Sequence, residues 1–239
     1  MFKKFTFITV SLFVIIGLAV VGCTVSVRGS GNVVEEGREV AQFDRVALDG
    51  MGEIILTQGD ETSVVIEAED NLMEYIKTSV RGDELIINIQ SRRPLLPTEP
   101  LKFYVTTPNI EGVSIDGLGA LTAEEIDTDS IEIEINGSGS AMIDDLDADS
   151  LAIDIDGLGS VELAGEVENQ DVDINGSGSY NGRQLESESA DIDIDGLGSA
   201  TITVEDNLEV NIDGSGQVTY YGNPEVDKNI NGVGRVVNR

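Results

Sequence analysis

Apolar and polar residues alternate strictly over short stretches of the C-terminal half, as in Ile131-Glu-Ile-Glu-Ile135, Leu151-Ala-Ile-Asp-Ile155 and Ile192-Asp-Ile194. Successive side chains of a strand point to opposite faces, so this pattern places one face inward and the acids outward. Each stretch runs into Asp/Asn-Gly-x-Gly. The copies are Asp116-Gly-Leu-Gly119, Asn136-Gly-Ser-Gly139, Asp156-Gly-Leu-Gly159, Asn175-Gly-Ser-Gly178, Asp195-Gly-Leu-Gly198, Asp213-Gly-Ser-Gly216 and Asn231-Gly-Val-Gly234. Asp49-Gly-Met-Gly52 is an early outlier that stands apart. From Asp116 onward the copies start 20, 20, 19, 20, 18 and 18 residues apart. Gly-x-Gly permits positive φ or close backbone approach, as a sharp corner requires. A second short strand follows, such as Ala141-Met-Ile143, Val161-Glu-Leu163 or Ala200-Thr-Ile-Thr-Val204. A polar bend such as Asp144–Ser150 then closes the unit.

A repeat of this length marks a stacked architecture in which no unit buries a core alone. One coil of a parallel β-helix accommodates two or three short strands and their corners in about 20 residues. An antiparallel sandwich also gives evenly spaced strands, but it does not require the same corner at the same phase seven times. The fold class is therefore all-β, a single-domain parallel β-helix, with Ile133 and Ile153 in its core.

Residues 33–111 read as a less regular β-rich cap of irregular first coils, and 112–239 as the regular repeats; a separate small N-terminal domain is the alternative. Strands are expected at Asp44–Leu48, Glu53–Leu56, Ser63–Ala68, Glu84–Ile89 and Leu101–Thr106. A short helix is expected at Asn71–Thr78, capped by Asp70 or Asn71. Ser91–Pro100, with three of the five prolines, reads as a loop.

Several segments resemble the head GIN domain family of auto-transporter adhesins, many of them bacterial lipoproteins. They are Phe43-Asp-Arg-Val46, Gln58-Gly59, Asp70-Asn-Leu72, Gly82-Asp-Glu-Leu-Ile-Ile87 and the repeated Ile-Asp/Asn-Gly-x-Gly units, together covering about Phe43 to Tyr221. The resemblance implies a right-handed β-helix and an adhesive role. It supplies no catalytic residue.

The first 22 residues read as a signal peptide, with Lys3 and Lys4 preceding the uncharged, largely apolar run Phe5–Gly22. Val20-Val-Gly-Cys23 resembles the bacterial lipobox, and Cys23 is the only cysteine. Acylation there would anchor the chain through residues 23–32 as a tether, since several acyl chains bind stably where one binds marginally. The alternatives are an ordinary cleaved signal and an uncleaved anchor. By resemblance to Gram-negative lipoproteins, Thr24 after the cysteine favours the outer membrane.

The chain carries a net charge of −31, and 30 acids face a single base, Arg183, between Tyr104 and Asp227. Nucleic acid and anionic lipid surfaces are poor partners for such a surface. With no histidine and no free thiol, Ser-His-Asp and Cys-His catalysis is excluded. A carboxylate pair, as in glycosidases, is the remaining enzymatic arrangement. The glycines do not form a phosphate loop, because no helix follows the turn.

If one period is one coil, Glu134, Asp154, Asp173 and Asp193 stack outward, with Asn211 next. Unit charges about 4.8 Å apart repel by roughly 1 kcal/mol in water. In the corner column, neutral amides separate carboxylates through Asp116, Asn136, Asp156, Asn175 and Asp195. Calcium is the candidate cation to relieve the acids. Its best local ligands are Asp145, Asp147 and Asp149, with Asp127 and Asp129 one coil away, although neither an EF-hand nor a nine-residue calcium repeat is present. No other cofactor is indicated. Tyr180, Tyr220 and Tyr221, which follow Gly-Ser-Gly corners, are candidate contacts for a glycan or protein ligand; core packing is the competing reading. The sequence thus describes an envelope-anchored binding or adhesion scaffold. A calcium-binding structural or sensing component and a carbohydrate-active enzyme are the alternatives.

Overall fold

A computed structural model describes residues 26–239. Cys23, its leader and the beginning of the tether lie outside the described residues. Seventeen strands follow in order: β1 Val27–Arg28, β2 Val33–Arg38, β3 Arg45–Gln58, β4 Ser63–Glu69, β5 Ile76–Arg81, β6 Glu84–Ile89, β7 Leu95–Leu96, β8 Lys102–Thr107 and β9 Gly112–Ala123. The regular coils continue through β10 Ile126–Gly137, β11 Ser140–Gly157, β12 Ser160–Gly176, β13 Ser179–Gly196, β14 Ser199–Gly214, β15 Gln217–Tyr221, β16 Glu225–Gly232 and β17 Arg235–Asn238. The chain is a β-solenoid of about six turns. From β9 to β17 every pairing is parallel and joins one coil to the next.

Inward and outward positions define three sides in each coil. In β11 and the corner after it, Leu151, Ile153 and Ile155 point inward before the Asp-Gly-Leu-Gly corner, and Val161 and Leu163 point inward after it. Leu146 and Ala148 form the third side, bounded by consecutive exposed pairs at Asp144-Asp145 and Asp149-Ser150. The stretch expected to be a polar bend is therefore strand, with only a register shift between Ile143 and Leu146. Its acids hid two inward positions, because a small alanine serves as core on this narrow side.

Two different steric demands explain the paired glycines. The first glycine of each corner has positive φ, +119° at Gly157 for example. A β-carbon there would lie 2.6 Å from the carbonyl oxygen of Gly137 on the preceding coil. That oxygen accepts a 2.7 Å hydrogen bond from the Leu158 amide, so the backbone ladder passes around the corner unbroken. The second glycine keeps space for an isoleucine one coil back. A β-carbon on Gly159 would come 2.6 Å from Cγ2 of Ile135. The same relation holds for Gly139 over Ile115, Gly178 over Ile155, Gly198 over Ile174, Gly216 over Ile194 and Gly234 over Ile212.

Asp49-Gly-Met-Gly52 belongs to this column and does not stand apart. β3 pairs with β9 from Arg45 opposite Gly112 to Leu56 opposite Ala123, and Asp49 lies opposite Asp116. The intervening segment is an excursion. β6 and β8 lie parallel beneath the two halves of β3, while β4 runs antiparallel to β8 and to β2, and β5 antiparallel to β6. These strands cap the N-terminal end of the core. Where the chain leaves the first coil, Gln58 replaces the missing strand: its side-chain amide donates to the Asp127 carbonyl at 2.8 Å and accepts from the Asp127 amide at 2.8 Å.

The helix expected at Asn71–Thr78 is absent. One 3-10 turn, Met73–Tyr75, leads directly into β5. Asn71 does not cap it; its side chain accepts from the Ser30 amide at 2.9 Å and donates to the Arg28 carbonyl at 2.8 Å.

Replacing Gly157 by Ala should destabilise the fold by about 2–3 kcal/mol, combining positive-φ strain with a backbone clash. Gly37→Ala, where a β-carbon meets nothing within 4 Å, should remain within about 0.5 kcal/mol of the parent. Urea unfolding of both variants checks the pair, and equal midpoints would refute this account of the corner.

Candidate functional site: the corner ridge and acidic face

Whereas Met51 of the first corner packs partly against the core, each corner from Asp116 onward leaves one side chain, the x of Gly-x-Gly, outside the stack. Its glycine neighbours are held by the preceding coil, so this side chain points to solvent. Leu118, Leu158 and Leu197 are each 68% exposed and Val233 is 80% exposed. Ser138, Ser177 and Ser215 occupy the same place on the intervening coils. From Leu118 to Leu197, leucine always accompanies Asp and serine always accompanies Asn. The ridge therefore repeats every two coils, about 9.6 Å. The alternation is written in the motif itself, at the position that the two glycines flank.

One flank of the ridge is the Asp/Asn column, in register as expected from Asp116 through Asp213. It extends to Asp49 at one end and Asn231 at the other. Both ends carry an amide: Asn88 donates to Asp49 at 2.7 Å, and Asn231 to Asp213 at 3.4 Å. The other flank is a serine column, Ser140, Ser160, Ser179 and Ser199.

Beyond the Asp/Asn column lies a flat acidic face. Glu134, Asp154, Asp173 and Asp193 stack in register and continue into Asn211 and Asn229. Beside them stand Glu132, Asp171, Asp191 and Glu209. Desolvation, followed by neighbouring carboxylates, raises the pKa of Asp154, Asp173 and Asp191. Arg45 closes the N-terminal end of this face through a 2.5 Å ion pair with Glu132, whose hydrogen bond raises the pKa of the guanidinium.

The candidate calcium ligands lie on the third side. Asp127 is directly opposite Asp147, and Asp145, Asp147 and Asp149 are all exposed. Among the described residues, no three such side chains converge closely enough to hold a metal ion. Alternation directs these acids outward along the strand; it does not direct them toward one point.

The tyrosines separate. Tyr180 is 2% exposed, so it lies in the core and cannot stack on a ligand. Its hydroxyl donates to Gln170 at 2.9 Å, the Gln170 amide donates to Ser187 at 2.7 Å, and Ser187 donates to the Thr203 carbonyl at 3.0 Å. Burial raises the Tyr180 pKa. In register Tyr180 aligns with Ala200 and Val218, not with Tyr220. Tyr220 and Tyr221 are half-buried, and the Arg183 guanidinium lies 4.8 Å from the Tyr221 ring centroid.

A second acidic pair behaves oppositely. Hydrogen bonding to Thr98 first, then backbone amides including that of Gly31, lowers the pKa of the buried Glu69 carboxyl. Ser30 and then Asn32 lower that of Asp70. Ionised Asp154, Asp173 and Asp191 weaken the fold, so stability rises as pH falls from neutral through their raised values. The contributions of Glu69 and Asp70 are complete above their unfolded values, about 4.3 and 3.9, and are lost as pH falls through the depressed ones. The melting temperature should therefore rise on acidification, peak at about pH 4–5, and then fall. Asp173→Asn should raise stability by about 0.5 kcal/mol at pH 7 and flatten the rise. A melting temperature that falls steadily from pH 7 downward would contradict this assignment.

Residues 42–224 match the family described as "Putative auto-transporter adhesin, head GIN domain". No curated protein matches the chain. Among solved structures, a putative adhesin from Bacteroides fragilis is 23% identical with TM-score 0.85, covering 89% of this chain and 100% of that one. A putative lipid binding protein from Parabacteroides distasonis is 22% identical with TM-score 0.75, covering 90% and 99%. A putative adhesin from Parabacteroides merdae is 20% identical with TM-score 0.71, also covering 90% and 99%. At these identities the likeness establishes a common fold.

Proposed function

Since the chain belongs to the head GIN domain family of putative auto-transporter adhesins, we propose that it is a non-enzymatic binding scaffold, anchored to the bacterial envelope by lipid on Cys23. The lipobox-like Val20-Val-Gly-Cys23 supports the anchor, and Thr24 supports the outer membrane of a Gram-negative cell. The adhesin names of the structural relatives agree with a surface role. The observation that carries the binding function is the corner ridge, where exposed leucine beside aspartate recurs every second coil. Such a surface suits an extended glycan or polypeptide ligand with cationic and apolar groups, engaged at several rungs at once. Multivalent contact makes weak rungs sufficient.

Serine already occupies alternate rungs, so Leu118→Ser/Leu158→Ser/Leu197→Ser should fold and melt like the parent. It should also lower attachment of protein-coated beads to host cells or matrix proteins by about tenfold, as loss of apolar anchors does at an interface. A well-folded triple variant that attaches as strongly as the parent would remove the ridge from the binding surface.

A further inference from the structure

A local cluster of exposed arginines sits at the N-terminal end of the head, whereas the coils offer almost none. β1 pairs parallel with β7, placing Val27 opposite Leu95 and Arg28 opposite Leu96. The Val27 amide donates to the Pro94 carbonyl at 2.9 Å, and the Gly29 amide to the Leu96 carbonyl at 3.0 Å. Leu95 faces the core, but Leu96 is 51% exposed. Arg28, Arg92 and Arg93 are exposed around it, and none forms an ion pair among the described residues.

This surface is rigidly attached to the head. Glu69 accepts from the Gly31 amide at 2.6 Å, from Thr98 Oγ1 at 2.5 Å and from the Thr98 amide at 2.9 Å, joining the first segment to the β7 loop. Asp70 accepts from Ser30 Oγ at 2.5 Å and from Asn32 at 3.0 Å. These carboxylates are occupied by neutral donors and do not pair with the arginines. Asp70, Glu74 and Glu99 are exposed acids at the same end, and none of them forms an ion pair with these arginines.

Position supplies the remaining argument. Only Thr24 and Val25 lie between Cys23 and Ser26, three backbone steps with a reach of at most about 11 Å. An acylated Cys23 therefore holds this end against the bilayer. The strand order runs from β2 at this end to β17 at the other, so the acidic coils extend away from it. Beyond a Debye length of about 8 Å their charge is screened from the headgroups. Overall charge made an anionic membrane a poor partner; the local arrangement reverses that expectation at this end.

Building on the lipid anchor at Cys23, we propose that Arg28, Arg92, Arg93 and Leu96 form a membrane-seating surface. The arginines meet anionic phospholipid headgroups and Leu96 enters the interfacial layer. Seating at this end stands the solenoid on the membrane and turns its C-terminal coils outward. A single-point attachment becomes an oriented one, because lipid chains and a basic patch act as two signals.

The chain contains no tryptophan, so Leu96→Trp and Leu118→Trp each provide a unique fluorophore at an exposed position. Each acylated protein is bound to phosphatidylcholine vesicles, with or without phosphatidylglycerol, containing brominated lipid. With phosphatidylglycerol, Trp emission from position 96 should shift to the blue and be quenched, while emission from position 118 should be unaffected. Arg92→Glu/Arg93→Glu in the Leu96→Trp background should abolish the quenching while the protein still floats with the vesicles. An acylated, floating protein whose position 96 remains unquenched overturns the seating surface alone. A protein whose intact mass shows no acyl chains on Cys23 overturns the anchor and this inference with it.

Discussion

The solenoid depends on the interlock between an isoleucine and the glycine above it on the next coil. A backbone ladder alone fixes the distance between coils but not their phase. With Ile135 seated under Gly159, the next coil cannot slip by one residue without driving a side chain into its neighbour. A slip would also exchange every inward residue for an outward acid. The positive-φ glycine beside it lets the ladder turn without losing a hydrogen bond. Together these two glycines make each corner a register mark, and the stacked core of isoleucine, valine and leucine follows from that register.

The same constraint produces the electrostatics. Strands joined by hydrogen bonds stay about 4.8 Å apart, so outward carboxylates in a column cannot relax away from one another along the axis. Part of the chain moderates this through chemistry: asparagine interrupts the corner column, and amides terminate it at Asn88 and Asn231. The adjacent face has less relief. Asp154, Asp173 and Asp191 are the residues whose ionisation is resisted, because partial burial adds to the repulsion. Arg45, joined to Glu132 at the N-terminal end, compensates only the first part of that face.

Periodicity made the regular half legible because every rung there has nearly the same length, 18 to 20 residues. The first rung was obscured by its connection, since β4 to β8 intervene between Asp49 and its partner Asp116. Local pattern could not reveal that pairing, which depends on β6 and β8 filling the layer below. The helix expected after Asp70 failed for a related reason. A capping residue is only available if nothing else requires it, and Asn71 is committed to the segment around Ser30. Tyr180 followed a corner like an exposed residue but entered the core, where Gln170 and Ser187 satisfy its hydroxyl. The acids on the third side mark a different limit. Alternation reveals which side chains face outward, but not whether outward side chains converge.

The corner residue is where folding and function separate most clearly. From Asp116 onward, glycine on either side meets the demands of the stack, so the residue between them has no packing role. Ser138, Ser177 and Ser215 show that a small polar side chain suffices there. Exposed leucine on the remaining rungs consequently adds nothing to the core, while leaving apolar surface in water. An isolated exposed leucine would need no explanation, but three at equal exposure, each beside an aspartate and two coils from the next, form a regular surface. The stack that positions them also keeps their spacing constant, so a ligand that matches one pair of rungs will match the next pair as well. A solenoid thereby turns a weak contact at one corner into a repeated contact along its length. This links the spacing set by the backbone to the binding role proposed for the ridge.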